Sequence, residues 1–414
     1  MTTPFGMGPP GAPDLGALLQ RLGRLMSSGS AGPVDWTGAE RTALDTIRRL
    51  DHPLVSAEDE RDVVSVMTTA QVWLDEACAL PALTTGARAW TPTQWLTGTL
   101  PAWRVIIEPV AAKVSAGTTD LFTGSDLAEL GFAPPGLPGL GGGDLPPGAA
   151  EQMNGMLAVL MSALRPLAAV MFGAQVGQAL GQMSGEVMSG GDIGLSITAD
   201  HVPTLIPFGI ERFGAGLDVE PLQIVHYVAV REAARERLFT AAPWLTARTR
   251  DAMAEYAGGL TVDVAAIREA LTSIDPGRPE MMAEALGSGL LQPQVTPAQQ
   301  ALLVRIETLI ALAEGWCDVV VAKAAGDRLP ALPRLTEAMR RRRAAGGPAE
   351  KAFRALVGLE LRPRRLREAA RLWSLIGHAQ GDTARDELWR HPDLVPDAAD
   401  LDDPDAFLAG LGRG

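Results

Sequence analysis

Arg231-Glu232-Ala233-Ala234-Arg235 places a carboxylate beside the first of two cationic residues that lie one helical turn apart. With histidine at both ends, the same frame would hold a zinc ion between two imidazoles and let the glutamate polarise a zinc-bound water. Guanidinium cannot take that part, since it has no lone pair to donate and stays protonated at any physiological pH. His226 offers no repair. It precedes Arg231 by five residues and, at about 100° per residue, faces nearly the opposite side of a helix.

Two further carboxylates, Glu314 and Asp318, lie one turn apart in Glu314-Gly315-Trp316-Cys317-Asp318, with Glu307 two turns earlier on a similar face. Their surroundings are apolar (Leu302, Ile306, Leu309, Ile310, Val319, Val320, Val321), so they are expected to be buried, and a buried carboxylate needs a partner.

The elements that must position these groups are helical. Pro221 to Phe239 has apolar residues at three- and four-residue intervals, with Asp218 as the expected cap and Ile224, Val228, Arg231, Arg235 and Leu238 on one stripe. Thr296-Pro297-Ala298-Gln299 reads as a capping box with proline at the first helical position, opening the helix that carries Glu314 and Asp318. Gly173, Gly177, Gly181 and Gly185 form a four-residue glycine ridge within the apolar stretch from Met156 to Met183. Arg165-Pro166 and three glutamines interrupt that stretch, so the expectation is a buried helix rather than a membrane span. Near Ile193 to Ile197 a short extended segment is expected, giving a mainly α fold with at most a small β element.

Glu-x-x-x-Asp downstream of a His-Glu-x-x-His frame is the gluzincin arrangement, with the glutamate as third zinc ligand and the aspartate orienting a ligand histidine. More closely, the chain resembles an actinobacterial zincin-like family of candidate zinc-dependent metalloproteases or hydrolases, one branch of which is associated with deazaflavin-coenzyme biosynthesis. The matching residues are Ala229-Val230-Arg231-Glu232-Ala233-Ala234, Arg237-Leu238-Phe239, Pro243-Trp244-Leu245, Glu314-Gly315-Trp316, Gly358 to Leu366, and His391-Pro392-Asp393-Leu394. The resemblance implies a zincin-like multi-helical core, Glu232 in the position of the catalytic base and Glu314 in that of a zinc ligand. It departs at both histidine positions. If the helices pack as in a gluzincin, Arg231 and Arg235 face Glu314 and Asp318, and arginine–carboxylate pairs neutralise the four charges where zinc would sit. No cofactor is then expected, and zinc only if the family activity is retained.

The organisation expected along the chain is a mobile Gly/Pro-rich N-terminus (1–33, with a possible short helix from Leu15 to Met26), a helical region (34–130), a Gly/Pro-rich loop (131–149), the zincin-like core (150–395) and an acidic C-terminal tail (396–414). The 414 residues carry a net charge of −13, two distant cysteines and no signal-peptide pattern, which suggests a reducing cytoplasm. From Arg334 to Arg371, 12 arginines and lysines face 4 glutamates, a local +8. The reading for this segment is solvated helix faces that pair with the protein's own acidic surface. No nucleic-acid-binding motif accompanies it, so nucleic acid is a disfavoured partner.

The functional expectation is a catalytically degenerate zincin-like protein that binds an unidentified peptide or protein. The alternatives are an active zinc hydrolase with Glu232 as general base and Glu314 as ligand, and an anion or nucleic-acid binder acting through residues 334–371.

Overall fold

The computed structural model describes residues 32–123, 149–259, 296–347, 351, 354 and 365–411. The expected N-terminal segment, the loop at 131–148 and the motif residues Gly358 to Arg364 lie outside the described residues, apart from residues 32–33. The elements are α1 (Trp36–Arg48), α2 (Ala57–Asp75), β1 (Arg88–Ala89), α3 (Pro92–Thr123), α4 (Ala149–Ser184), β2 (Thr204–Leu205), α5 (Pro207–Gly214), α6 (Pro221–Ala241), α7 (Pro243–Gly258), α8 (Pro297–Ala325), α9 (Leu332–Ala344), α10 (Arg365–Gln380), α11 (Asp382–Glu387), α12 (Ala398–Asp402) and α13 (Pro404–Leu411). The fold is mainly α.

Local chemistry sets several helix starts. Asp35 accepts from Gly38 N at α1, Ser56 and Asp59 form a capping box at α2, and Thr296 and Gln299 form one at α8, with Pro297 at the first helical position. At α6 the structure corrects the expected cap. Proline again opens the helix, but the cap position is Glu220, without a side-chain bond. Asp218 sits two residues earlier with φ +50° in the preceding turn, and its carbonyl accepts from Arg334.

The glycine ridge of α4 packs against α1. A Cβ on Gly173 would lie 2.5 Å from the Asp35 carbonyl oxygen, and one on Gly177 would collide with the Ala39 carbonyl. Backbone-to-backbone approach of this kind is what the four-residue spacing permits. No helix among the described residues is long and apolar enough to cross a membrane.

Two apolar clusters result. One gathers α2, α6, α8 and α10 around Trp316, Trp373 and Trp389; the other gathers α1, α3, α4 and α7 around Trp95 and Trp103. Helix α8 contributes to both, through Ile306 in the second and Leu309 to Ala325 in the first. The connection from α4 to β2 also straddles them, with Met188 and Leu205 on one side and Ile193, Leu195 and Ile197 on the other.

The small β element lies elsewhere than expected. Ile193 closes a turn and Gly194 and Leu195 form a bend, with Gly194 at φ +78° and its N–H bonded to the Gly191 carbonyl. The strands are β1 and β2, parallel and in register Arg88↔Thr204 and Ala89↔Leu205, with an antiparallel bridge from Ser189 to Leu205. The apolar run 193–197 has no strand to pair with and instead buries its side chains around a glycine-driven turn. Residues 398–411 are helical, and Arg365 holds α12 through the Ala398 carbonyl at 2.7 Å and Asp402 at 3.4 Å.

Candidate functional site

Helices α6 and α8 face each other across the first core, and the structure brings Arg231 and Arg235 directly against Glu314 and Asp318. Arg231 donates to Glu314 Oε2 at 2.8 Å and to Asp318 Oδ1 at 2.5 Å. Arg235 approaches Glu314 Oε1 through Nε at 3.0 Å and Nη2 at 2.9 Å, and its Nη1 donates to Glu232 Oε2 at 3.1 Å. All but Asp318 are buried. Gly315, beside Glu314, lets α10 approach, since a Cβ there would meet Ala370 N at 2.7 Å. Trp316 turns the other way and donates its indole N–H to Asp386 at 2.7 Å. The Glu-Gly-Trp triplet thus serves a charge cluster, a helix contact and a second buried network.

A third guanidinium, not expected from the sequence, joins the cluster. Arg343, on α9, donates to Glu314 Oε2 and lies 4.0 Å from Asp318 Oδ1. Its signal was present: Leu335 and Met339 are the buried residues of α9, and Arg343 continues their four-residue stripe. Within the run Arg340 to Arg343, the last three pair with the protein's own acids, as expected, but Arg342 and Arg343 do so from part-buried rather than solvated positions. Successive residues 100° apart go to different places: Arg340 to a surface cleft, Arg341 to Glu337, Arg342 to Asp192 and Arg343 to Glu314.

The electrostatics of the two buried glutamates diverge. Burial alone would raise the Glu314 carboxyl, but Arg235, Arg343 and Arg231 override it and hold the group far below the usual carboxylate range. Glu232 is pushed up to about 7, first by burial and then by the charge of Glu236 one turn on, against the pull of Arg235. Its oxygens take long bonds from Gly191 N (3.2 and 3.3 Å) and Thr204 N (3.4 Å). Glu236 reaches His201 Nδ1 at 3.1 Å, and Ser196 Oγ lies 3.2 Å from the same nitrogen. The hydrogen bond to Glu236 raises the His201 pKa against the opposing effect of burial. Glu236 was legible as a neighbour of Glu232 at one-turn spacing. His201, isolated in sequence, was not.

A zinc ion between α6 and α8 would need lone pairs from positions 231, 235 and 314. Two of those are guanidinium, and both oxygens of the third are engaged by arginines. The residues do not fit zinc. No cluster of three His, Cys, Asp or Glu side chains with metal-site geometry occurs among the described residues. Cys317, which neighbours the cluster, is pushed up to about 12 by burial and by Glu314, so it is a neutral thiol. His226 is on the far side of α6, stacked on Trp73.

Residues 34–408 match the zincin-like metallopeptidase family. The chain belongs to that family. No curated protein matches it. Among solved structures, the zincin-like protein is similar to a crystallised protein from Chloroflexus aurantiacus described as a candidate hydrolase with a novel fold, at 16% identity and a TM-score of 0.59, covering 92% of this chain and 99% of the other. At that identity the likeness speaks to the fold alone.

Beside the cluster, a cleft of 520 Å³ opens between α8, α9 and α10. Asp318 lies at its inner edge with its side chain 15% exposed, and Lys323, Arg340, Ser374, His378 and Asp382 line the rest.

Proposed function

We propose that this zincin-like protein is a non-hydrolytic member of its family, in which a guanidinium–carboxylate core replaces the metal centre, and that its role is to bind a peptide or protein segment in the cleft beside Asp318. The observation that carries this reading is the engagement of both Glu314 oxygens by Arg231, Arg235 and Arg343. Those contacts occupy the third ligand position, and the first two hold guanidiniums, which have no lone pair to donate. The cleft supports a binding role because it offers cationic, anionic and hydroxyl groups within reach of an extended backbone.

One observation favours the rival, an active hydrolase. The Glu232 pKa near 7 is the value a general base needs at neutral pH. Against it, Glu232 is fully buried and holds Gly191 N and Arg235 rather than facing a cleft. The two readings separate on full-length, untagged protein purified without chelator. Elemental mass spectrometry should find zinc well below stoichiometry, and a mixed peptide library should show retention without cleavage. Stoichiometric zinc, or cleavage that Glu232→Gln abolishes, would overturn the non-hydrolytic reading.

A further inference from the structure

A second cleft lies on the other side of α9, between that helix and α5, and neither the family frame nor the ion-paired core uses it. Its volume is 610 Å³, within the range of small-molecule sites. Phe213, Leu217, Ala338, Gly209 and Gly216 provide apolar lining. Four arginines, Arg212, Arg334, Arg341 and Arg342, and two glutamates, Glu186 and Glu337, complete it. The lining residues themselves carry a net charge of +2, while Asp192 and Asp218 outside the cleft lie beside Arg342 and Arg334.

The four arginines differ in what holds them. Arg342 is fixed by Asp192 and by the Glu186 carbonyl at 2.7 Å, and forms a rigid cationic edge. Among the described residues Arg341 pairs only with Glu337, one turn away on an exposed face, a contact of little net worth that a better anion can replace. Arg334 donates to the Asp218 carbonyl at 2.7 Å and lies 3.7 Å from its exposed carboxylate. Arg212 stands over the Phe208 ring at 5.6 Å and has no carboxylate partner among the described residues. Three exposed guanidiniums and one fixed by a buried acid, around an apolar surface, are more than the protein's own acids engage strongly.

We propose that this cleft binds a small phosphate monoester that carries an apolar or aromatic body. The phosphate supplies about −1.5 to −2 charges at neutral pH, matching the excess, and its oxygens suit the two-pronged donation of arginine. The apolar body covers Phe213 and Leu217. A carboxylate brings too little charge and a free phosphate leaves the apolar lining exposed.

Isothermal titration calorimetry on the full chain at low salt, with phenyl phosphate, inorganic phosphate and phenol, tests this. The expected result is phenyl phosphate binding at least about tenfold tighter than either half alone. Arg212→Ala/Arg341→Ala should weaken it by about tenfold or more with an unchanged melting temperature, because both side chains are exposed. Arg41→Ala/Arg48→Ala, two exposed arginines on α1, should bind as the unaltered protein does. Phenyl phosphate binding no tighter than inorganic phosphate, or unchanged binding by Arg212→Ala/Arg341→Ala, would overturn the proposal.

Discussion

Helix α6 buries two arginine networks two residues apart, and they are built on different terms. Arg231 and Arg235 share one doubly engaged anion, Glu314, with Arg343 as a third claimant. Arg237, on another face of the helix, is satisfied mainly by neutral acceptors: Gln71 Oε1 at 2.7 Å, the Gln71 carbonyl at 2.8 Å and the Leu80 carbonyl at 3.3 Å, with Asp75 at 2.7 Å as its carboxylate. The Arg237 network braces α2 against α6 and tolerates loss of its acid, because Asp75 is 58% exposed. The Glu314 network is centred on a buried acid instead. All three of its cations meet on Glu314, while Asp318 also takes Arg231 and Glu232 also takes Arg235.

The sharpest break of this comparison is Glu314→Ala. Leaving Arg231, Arg235 and Arg343 without their shared anion should cost about 3 to 5 kcal/mol, read by urea denaturation. Arg237→Ala should cost about 2 to 4 kcal/mol, by stranding buried carbonyls and leaving a void. A Glu314→Ala protein as stable as the unaltered one would remove the distinction between the two networks.

The pH dependence of stability separates the carboxylates of the central cluster. Glu232 has a folded pKa raised from 4.5 to about 7, so its contribution is fully present below pH 4.5 and is lost as pH rises through 7. Glu314 is lowered, so its contribution is present above pH 4.5 and is lost as pH falls. Glu232→Gln should therefore flatten the decline in stability between about pH 5 and 8, gaining on the order of 2 to 3 kcal/mol relative to the unaltered protein at the alkaline end. A decline of equal size in Glu232→Gln would place its origin elsewhere.

The smallest effect is expected at Asp75→Asn. The amide keeps an acceptor for Arg237 and the site is largely solvated, so the change should be under about 1 kcal/mol. A loss as large as that of Glu314→Ala would mean that the two networks follow one rule.

What sequence could reveal follows the reach of each signal. Arg231, Arg235, Glu314 and Asp318 were nameable because one-turn spacing within a helix is local, and two helices with charges on their apolar faces must resolve those charges against something. The glycine ridge was legible for the same reason, its period being that of the helix it faces. Arg343 was masked by the three arginines before it, although its place on the Leu335–Met339 stripe is a local signal. The strands were not nameable because two-residue strands have no period, and their pairing joins residues 116 apart in the chain. His201 meets Glu236 only because the connection to β2 folds back over α6, a nonlocal fact that spacing does not carry.

The central claim is that guanidiniums stand where this family's frame would place a metal. Its most direct test compares zinc content in the native protein and in Arg231→His/Arg235→His/Arg343→Ala, which restores two imidazoles one turn apart and frees Glu314. The account predicts negligible zinc in the native protein and about one equivalent in the triple variant, with affinity lost again on Glu314→Ala. About one equivalent in the native protein, lost on Glu314→Ala, would contradict it.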